Sequence, residues 1–340
     1  MTRIDAIQPL RGLVCLSIIV LHFSTWEQGP LLISHRWFQY RPGVESFMVL
    51  SGFFIAHSLR PASSLSVARY LQTRFARLVV PYWVVLTIIT ILSYVRMLRS
   101  GRSHRVATHV LAEYAFVNDI FGIPPPAAPL WTLTTLIQLY ILTVAAFWVV
   151  RRFYLNTTPD YHRRTLEVLK VAAATILIGT AAGHIYGNLS LALITHWKLP
   201  HWIPFAAAGF LAYERSTKAT IVAAAVLAYT GWLTASTDRP DRWVWGAVTT
   251  VAINLLATYN PKIPPTPLNF VGRISFSVYL VHGTIGAYAY LCYGYSYLGD
   301  FPKIVYVSAA FVLSLAAGYA FYELVERPTA KYARTIAYRE

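Results

Sequence analysis

Arg11 and His22 stand eleven residues apart in an otherwise apolar stretch. At 100° per residue, eleven residues bring a helix back to within about 20° of its starting direction, so both side chains share one face about 16 Å apart along the axis. An ionisable group within an apolar segment is costly, and one that is kept faces a cavity, a partner or a reaction. An imidazole in such a place can take a proton from a hydroxyl, or attack as a nucleophile. A guanidinium can hold a phosphate. The plainer alternative is an arginine that snorkels to the interface and a histidine bonded to a neighbouring helix.

Three further groups extend this chemistry. Glu45 opens the segment Gly43-Val-Glu-Ser-Phe-Met-Val-Leu-Ser-Gly-Phe-Phe-Ile55, which also carries Ser51. If this segment packs antiparallel to the first, Glu45 orients His22 by accepting a bond from one ring nitrogen; otherwise it is a structural ion pair or a helix N-terminal carboxylate favoured by the dipole. Arg74 and Arg77, three residues apart in Arg69-Tyr-Leu-Gln-Thr-Arg-Phe-Ala-Arg77, can grip phosphates or simply mark a cytoplasmic edge. Ser275, Tyr279 and His282 recur at i, i+4 and i+7, so they line one helix face. Tyr279 and His282 could stabilise an oxyanion or join helices by hydrogen bonds, with Ser51 and Ser275 as polar lining.

The elements that position these residues are membrane helices. With 56% hydrophobic and 13% charged residues and a mean hydropathy of +0.48, the 340-residue chain is neither a soluble globule nor disordered. Apolar runs recur at 10–26, 44–60, 78–97, 130–150, 169–187, 200–214, 219–236, 243–259, 274–292 and 303–325. A bilayer core of about 30 Å needs about 20 helical residues, and the runs lack the alternation of barrel strands. The expectation is an all-α polytopic membrane protein of about ten transmembrane helices. Most of the 29 Lys and Arg then fall on the side of the amino terminus, which places both termini in the cytoplasm. The basic segment Arg96–Arg105 is the exception, assigned outside as an interfacial or re-entrant element.

The net charge of +15 follows from topology and anionic lipid, without nucleic acid as a partner. Cys15 and Cys292 sit in separate apolar runs and form no disulfide framework or CxxC metal site; no metal is expected. The amino terminus reads as a retained signal anchor, since no small-residue cleavage site follows its apolar run. Asn188-Leu-Ser is a glycosylation sequon in an outside loop, and His196 takes a packing or interfacial role.

Taken in order, Arg11-x10-His22, GVESFMVLSGFFI, RFARLVVPYW, Gly272-Arg-Ile-Ser-Phe-Ser-Val-Tyr-Leu-Val-His282 and Phe321-Tyr-Glu-Leu-Val-Glu-Arg-Pro328 resemble the acyltransferase-3 family of membrane O-acyltransferases. The resemblance covers nearly the whole chain, read as one integral-membrane domain over 1–340 with no appended soluble domain. It implies transfer of an acyl group, most often acetyl from acetyl-CoA, to a hydroxyl of a cell-surface glycan or lipid-linked sugar in a bacterial inner membrane. It implies that Arg11 and His22 are essential, that Arg74 and Arg77 match the R-x-x-R pattern, and that Glu45 matches the acidic residue of GV[DE]. One departure stands out: where the family often reads W-S-L-x-x-E-x-Q-F-Y, this chain has Trp131-Thr-Leu-Thr-Thr-Leu-Ile-Gln-Leu-Tyr140, with Leu136 at the carboxylate position.

The expected mechanism has Arg74, Arg77 and Arg11 holding the phosphates of acyl-CoA at the inner face while its pantetheine arm runs along the first helix. An acceptor hydroxyl arrives from outside, and His22 removes its proton or is itself acylated first. The rival class is a transporter or flippase without acyl chemistry, since many helices with buried charges also describe carriers.

Overall fold

A computed structural model describes residues 5–25, 42–59, 67–100, 106–123, 130–153, 161–185, 199–213, 216–233, 240–293 and 300–338. No strand occurs among them, and each of the ten apolar runs falls on a helix. The first two are α1 (Gln8–Thr25) and α2 (Val44–Ser58). Next, α3 (Val67–Arg74) continues through a π-helical turn (Phe75–Val79) into α4 (Val80–Ser100), followed by the short α5 (Val106–Tyr114). Then come α6 (Trp131–Phe153), α7 (Tyr161–Ile185), α8 (Leu199–Ala212) and α9 (Thr217–Leu233). They are followed by α10 (Pro240–Tyr259) and α11 (Pro267–Tyr293). Finally α12 (Asp300–Phe321) passes through a second π-helical turn (Tyr322–Glu326) into α13 (Arg327–Tyr338). Asn188, His196 and residues 101–105 of the basic segment lie outside the described residues.

Among the described residues, Ala68–Leu92 and Val307–Ile336 are long and apolar enough to cross a membrane by length and composition. The helices Val44–Ser58, Trp131–Ala146, His201–Ala212 and Thr217–Leu233 are apolar but shorter. Across the described helices Ile91, Trp148, Ile178, Val222, Trp232 and Val312 are all largely exposed, a surface that hydrocarbon satisfies and water does not.

Helix directions follow from the contacts. α1 and α11 run parallel: Arg11 and Cys15 meet Ser275, and His22 meets His282 further along. Their backbones almost touch, because a Cβ at Gly12 would lie 2.3 Å from the Leu268 carbonyl oxygen and one at Gly272 would lie 1.9 Å from that of Gln8. α2 runs the opposite way to α1, with Phe54 beside Arg11 and Phe47 stacked on Tyr279. α2, α8 and α10 share a direction, pinned by Ser46 to Thr249 at 2.7 Å, Asn254 to the Ala212 carbonyl at 3.0 Å, and Phe205 against Trp243. Helices that alternately enter and leave a bilayer take these relative directions.

Proline explains both widened turns. The Val80 N–H donates to the Phe75 carbonyl and the Arg327 N–H to that of Tyr322, each five residues back. In each case a proline follows immediately, Pro81 and Pro328. Proline has no N–H, and its ring crowds the carbonyl four residues earlier; one π turn absorbs that misfit and the helix continues. The bulges carry Arg77 and Glu326, two of the charged residues in these long apolar helices.

Candidate active site

At one end of α1 and α11, His22 Nδ1 lies 2.7 Å from His282 Nε2, and His282 Nδ1 lies 2.7 Å from the Tyr279 carbonyl oxygen. The two rings are nearly parallel, with a 7° interplanar angle. His282 is fully buried between Phe23, which meets it edge-on, and Tyr279. Tyr279 bonds in turn to Thr132 near the start of α6 and stacks on Phe47 of α2. Four helices therefore converge on the imidazole pair.

The expected orienting partner, Glu45, is at this end of the molecule but on the other face of its helix. Phe47 faces Tyr279, and a residue two positions away on a helix points nearly opposite. Glu45 accordingly faces α10, in the field of Asp241 and Arg242, and its Oε1 accepts the Gly43 N–H at 2.5 Å. The structure gives the place at His22 Nδ1 to His282, and Glu45 sits as a helix N-terminal carboxylate.

At the other end of the same helices lies a cationic cluster. Arg11 donates to Ser275 Oγ at 3.0 Å, and its guanidinium lies 5.3 Å from the Phe54 ring centre. Ser275 in turn donates to the Gly272 carbonyl at 2.9 Å. Arg74 is clasped between the rings of Tyr70 and Tyr140, 5.2 and 5.4 Å from their centres, while its Nε is buried without a hydrogen-bond partner. Arg77 is exposed at the first bulge, among the charges of Arg74, Glu326 and Arg334. Glu326 is buried, accepts from Ser277 Oγ at 2.5 Å, and senses Arg11 and Arg77. Beside the bulges opens a cavity of about 1080 Å³ lined by Arg69, Gln72, Phe75, Pro328, Thr329 and Tyr332.

The sequence motifs gave no role to His282 as a partner of His22 or to Glu326 as the carboxylate among the arginines. The signal for Glu326 is a carboxylate in the bulged turn just before Pro328. Ser51 donates to the Phe47 carbonyl of its own helix at 2.8 Å, a common resting place for a helical serine. A further buried polar group joins α4, α5 and α6: Glu113 accepts from Tyr82 and from Thr134, and Gln138 donates to Asp119 at 2.8 Å.

The sequence profile of the acyltransferase-3 family, described as an acyltransferase domain, matches residues 4–323. The chain belongs to the acyltransferase-3 family. Peptidoglycan O-acetyltransferase OatA of Listeria monocytogenes is 26% identical over 168 residues, which cover 45% of this chain and 25% of that protein. The chain thus matches about a quarter of this curated relative's length. No solved structure matches the chain. Against the acyltransferase-3 pattern, Leu136 is buried one helical turn before Tyr140, the ring that covers Arg74. Glu113 supplies a carboxylate to the same helix at Thr134, roughly opposite Leu136, so it does not replace the missing group beside Arg74.

Proposed function

We propose that this protein is a membrane O-acyltransferase that moves an acetyl group from acetyl-CoA to a hydroxyl of a cell-surface or lipid-linked glycan. The family match and the name of the Listeria relative support the reaction class. The observation that carries the reading is the arrangement of two clusters along the same three helices. On α1, Arg11 and His22 are about 16 Å apart; on α11, Ser275 and His282 about 10 Å; on α6, Tyr140 and Thr132 about 12 Å. Anion-holding groups stand at one end and a hydroxyl-activating imidazole at the other.

In this reading Arg74 and Arg77, with Arg11, hold the phosphates of the donor beside the bulged turns, and the thioester arm extends towards His22. Arg suits this work because its planar fork meets phosphate oxygens in pairs. The acceptor hydroxyl gives its proton to His22 Nε2 as its oxygen bonds to the acyl carbon. The carbon–sulfur bond breaks, and the departing thiolate takes that proton from Nε2. Glu45 contributes by holding the Gly43 amide where α2 begins, and Ser275 keeps Arg11 aimed inward. The ten helices cross a bacterial inner membrane with both termini in the cytoplasm, donor end inward.

The test is transfer in liposomes. Purified protein given radiolabelled acetyl-CoA and a polysaccharide acceptor labels the acceptor, and His22→Ala does not. Label that accumulates inside the vesicles but never on acceptor, or transfer by His22→Ala at the wild-type rate, overturns the reading.

A further inference from the structure

The bond between the two histidines fixes more than their positions. A carbonyl oxygen only accepts, so the 2.7 Å contact from His282 Nδ1 to the Tyr279 carbonyl puts a proton on that nitrogen. The ring is fully buried between Phe23 and Tyr279, where a neutral imidazole is the inexpensive form. A neutral ring with a proton on Nδ1 has its lone pair on Nε2. At 2.7 Å, that lone pair faces His22 Nδ1, which must therefore be the donor. A neutral His22 with its proton on Nδ1 carries its own lone pair on Nε2.

We propose that His282 is a positioning residue for the transfer: through the Tyr279 carbonyl it holds His22 in the tautomer whose Nε2 is the base. This rests on the reading of His22 as the group that takes the hydroxyl proton. A His–carboxylate pair would place a negative charge against the imidazolium and stabilise it. Here the partner is neutral, and the chain of bonds ends on a carbonyl that cannot take up a proton. The proton gained at Nε2 passes to the sulfur of the departing thiolate, and the neutral pair leaves His22 poised to release it there. Tyr279, tied to Thr132 and stacked on Phe47, fixes the carbonyl on which the arrangement is built.

The experiment compares His282→Phe with His282→Gln in the full-length protein in liposomes. Phenylalanine fills the space but cannot accept from His22; the glutamine carbonyl oxygen can. The expected result is a kcat about 100-fold lower for His282→Phe with KM for donor and acceptor unchanged, and recovery to within about 10-fold of wild type for His282→Gln. Nitrogen-15 spectra of histidine-labelled protein should show the His22 lone pair on Nε2 in wild type and a mixture of tautomers in His282→Phe. A folded His282→Phe with wild-type kcat, a His282→Gln no better than it, or a wild-type spectrum with the His22 lone pair on Nδ1 overturns the proposal. If His282→Phe does not fold, the wild-type spectrum and His282→Gln decide. Loss of transfer in His22→Ala is a separate result, so failure of this proposal leaves the reaction itself standing.

Discussion

At the scale of single residues, the placement of Glu45 and His282 shows how two positions on a helix decide a role. Glu45 and Phe47 enter from the same end, and the 200° between them turns the ring towards Tyr279 and the carboxylate towards Arg242. The eleven-residue spacing of Arg11 and His22 was legible because both lie on one helix. The partnership of His22 with His282 was not, because it spans 260 residues and depends on which helices pair. In the proposed reaction the hydroxyl proton goes to a lone pair on His22, so kcat should fall once the medium is acidic enough to protonate an imidazole, and a pH–rate profile checks the sign. Incubation with labelled donor and no acceptor leaves His22 unlabelled on acid-free denaturation; a stable acyl-protein band lost in His22→Ala would show the nucleophilic route instead. Glu326 shares the cationic end with Arg11 and Arg77. Glu326→Gln keeps the Ser277 bond, removes a negative charge and lowers KM for the polyanionic donor several-fold, whereas Arg74→Ala raises it; steady-state kinetics at fixed ionic strength measures both.

At the scale of elements, the helices were readable from apolar runs bounded by Pro, Gly and charge, and each run fell on a helix. The two bulged turns were not anticipated, although Pro81 and Pro328 within long apolar segments are their cause and their signal. The short α5 was likewise not among the runs, because Glu113 interrupts its apolar character, and the side chains that bond it, Tyr82 and Thr134, stand on other helices. The contact between α1 and α11 supports the sharpest element-scale prediction. Gly272→Ala pushes a methyl group into the Gln8 carbonyl, costs about 1–3 kcal/mol, and parts the two imidazoles. Thermal unfolding in detergent should therefore show a lowered midpoint together with lost transfer. Gly179→Ala on α7 has open space around its Cβ and lies within a helix, so it should leave the midpoint unchanged or raise it slightly.

For the whole molecule, the distribution of basic residues and the helix directions bear on the same question of sidedness. In the proposed orientation the cationic cluster faces the cytoplasm and the imidazole pair the outside, so vesicles of opposite orientation should respond differently. Right-side-out vesicles loaded with acetyl-CoA and supplied with external acceptor should transfer; the same vesicles with donor outside and acceptor inside should not, and equal rates in both would refute the assigned sides. The near-contact of Gly12 and Gly272 also constrains how the catalyst works. The backbones of these two helices meet with no side chain between them, so the pair bearing His22 and His282 is tied closely into one strut. In the proposed reaction the room to admit an acceptor and release a spent donor then falls to the surrounding helices, with the two imidazoles kept in register against this strut.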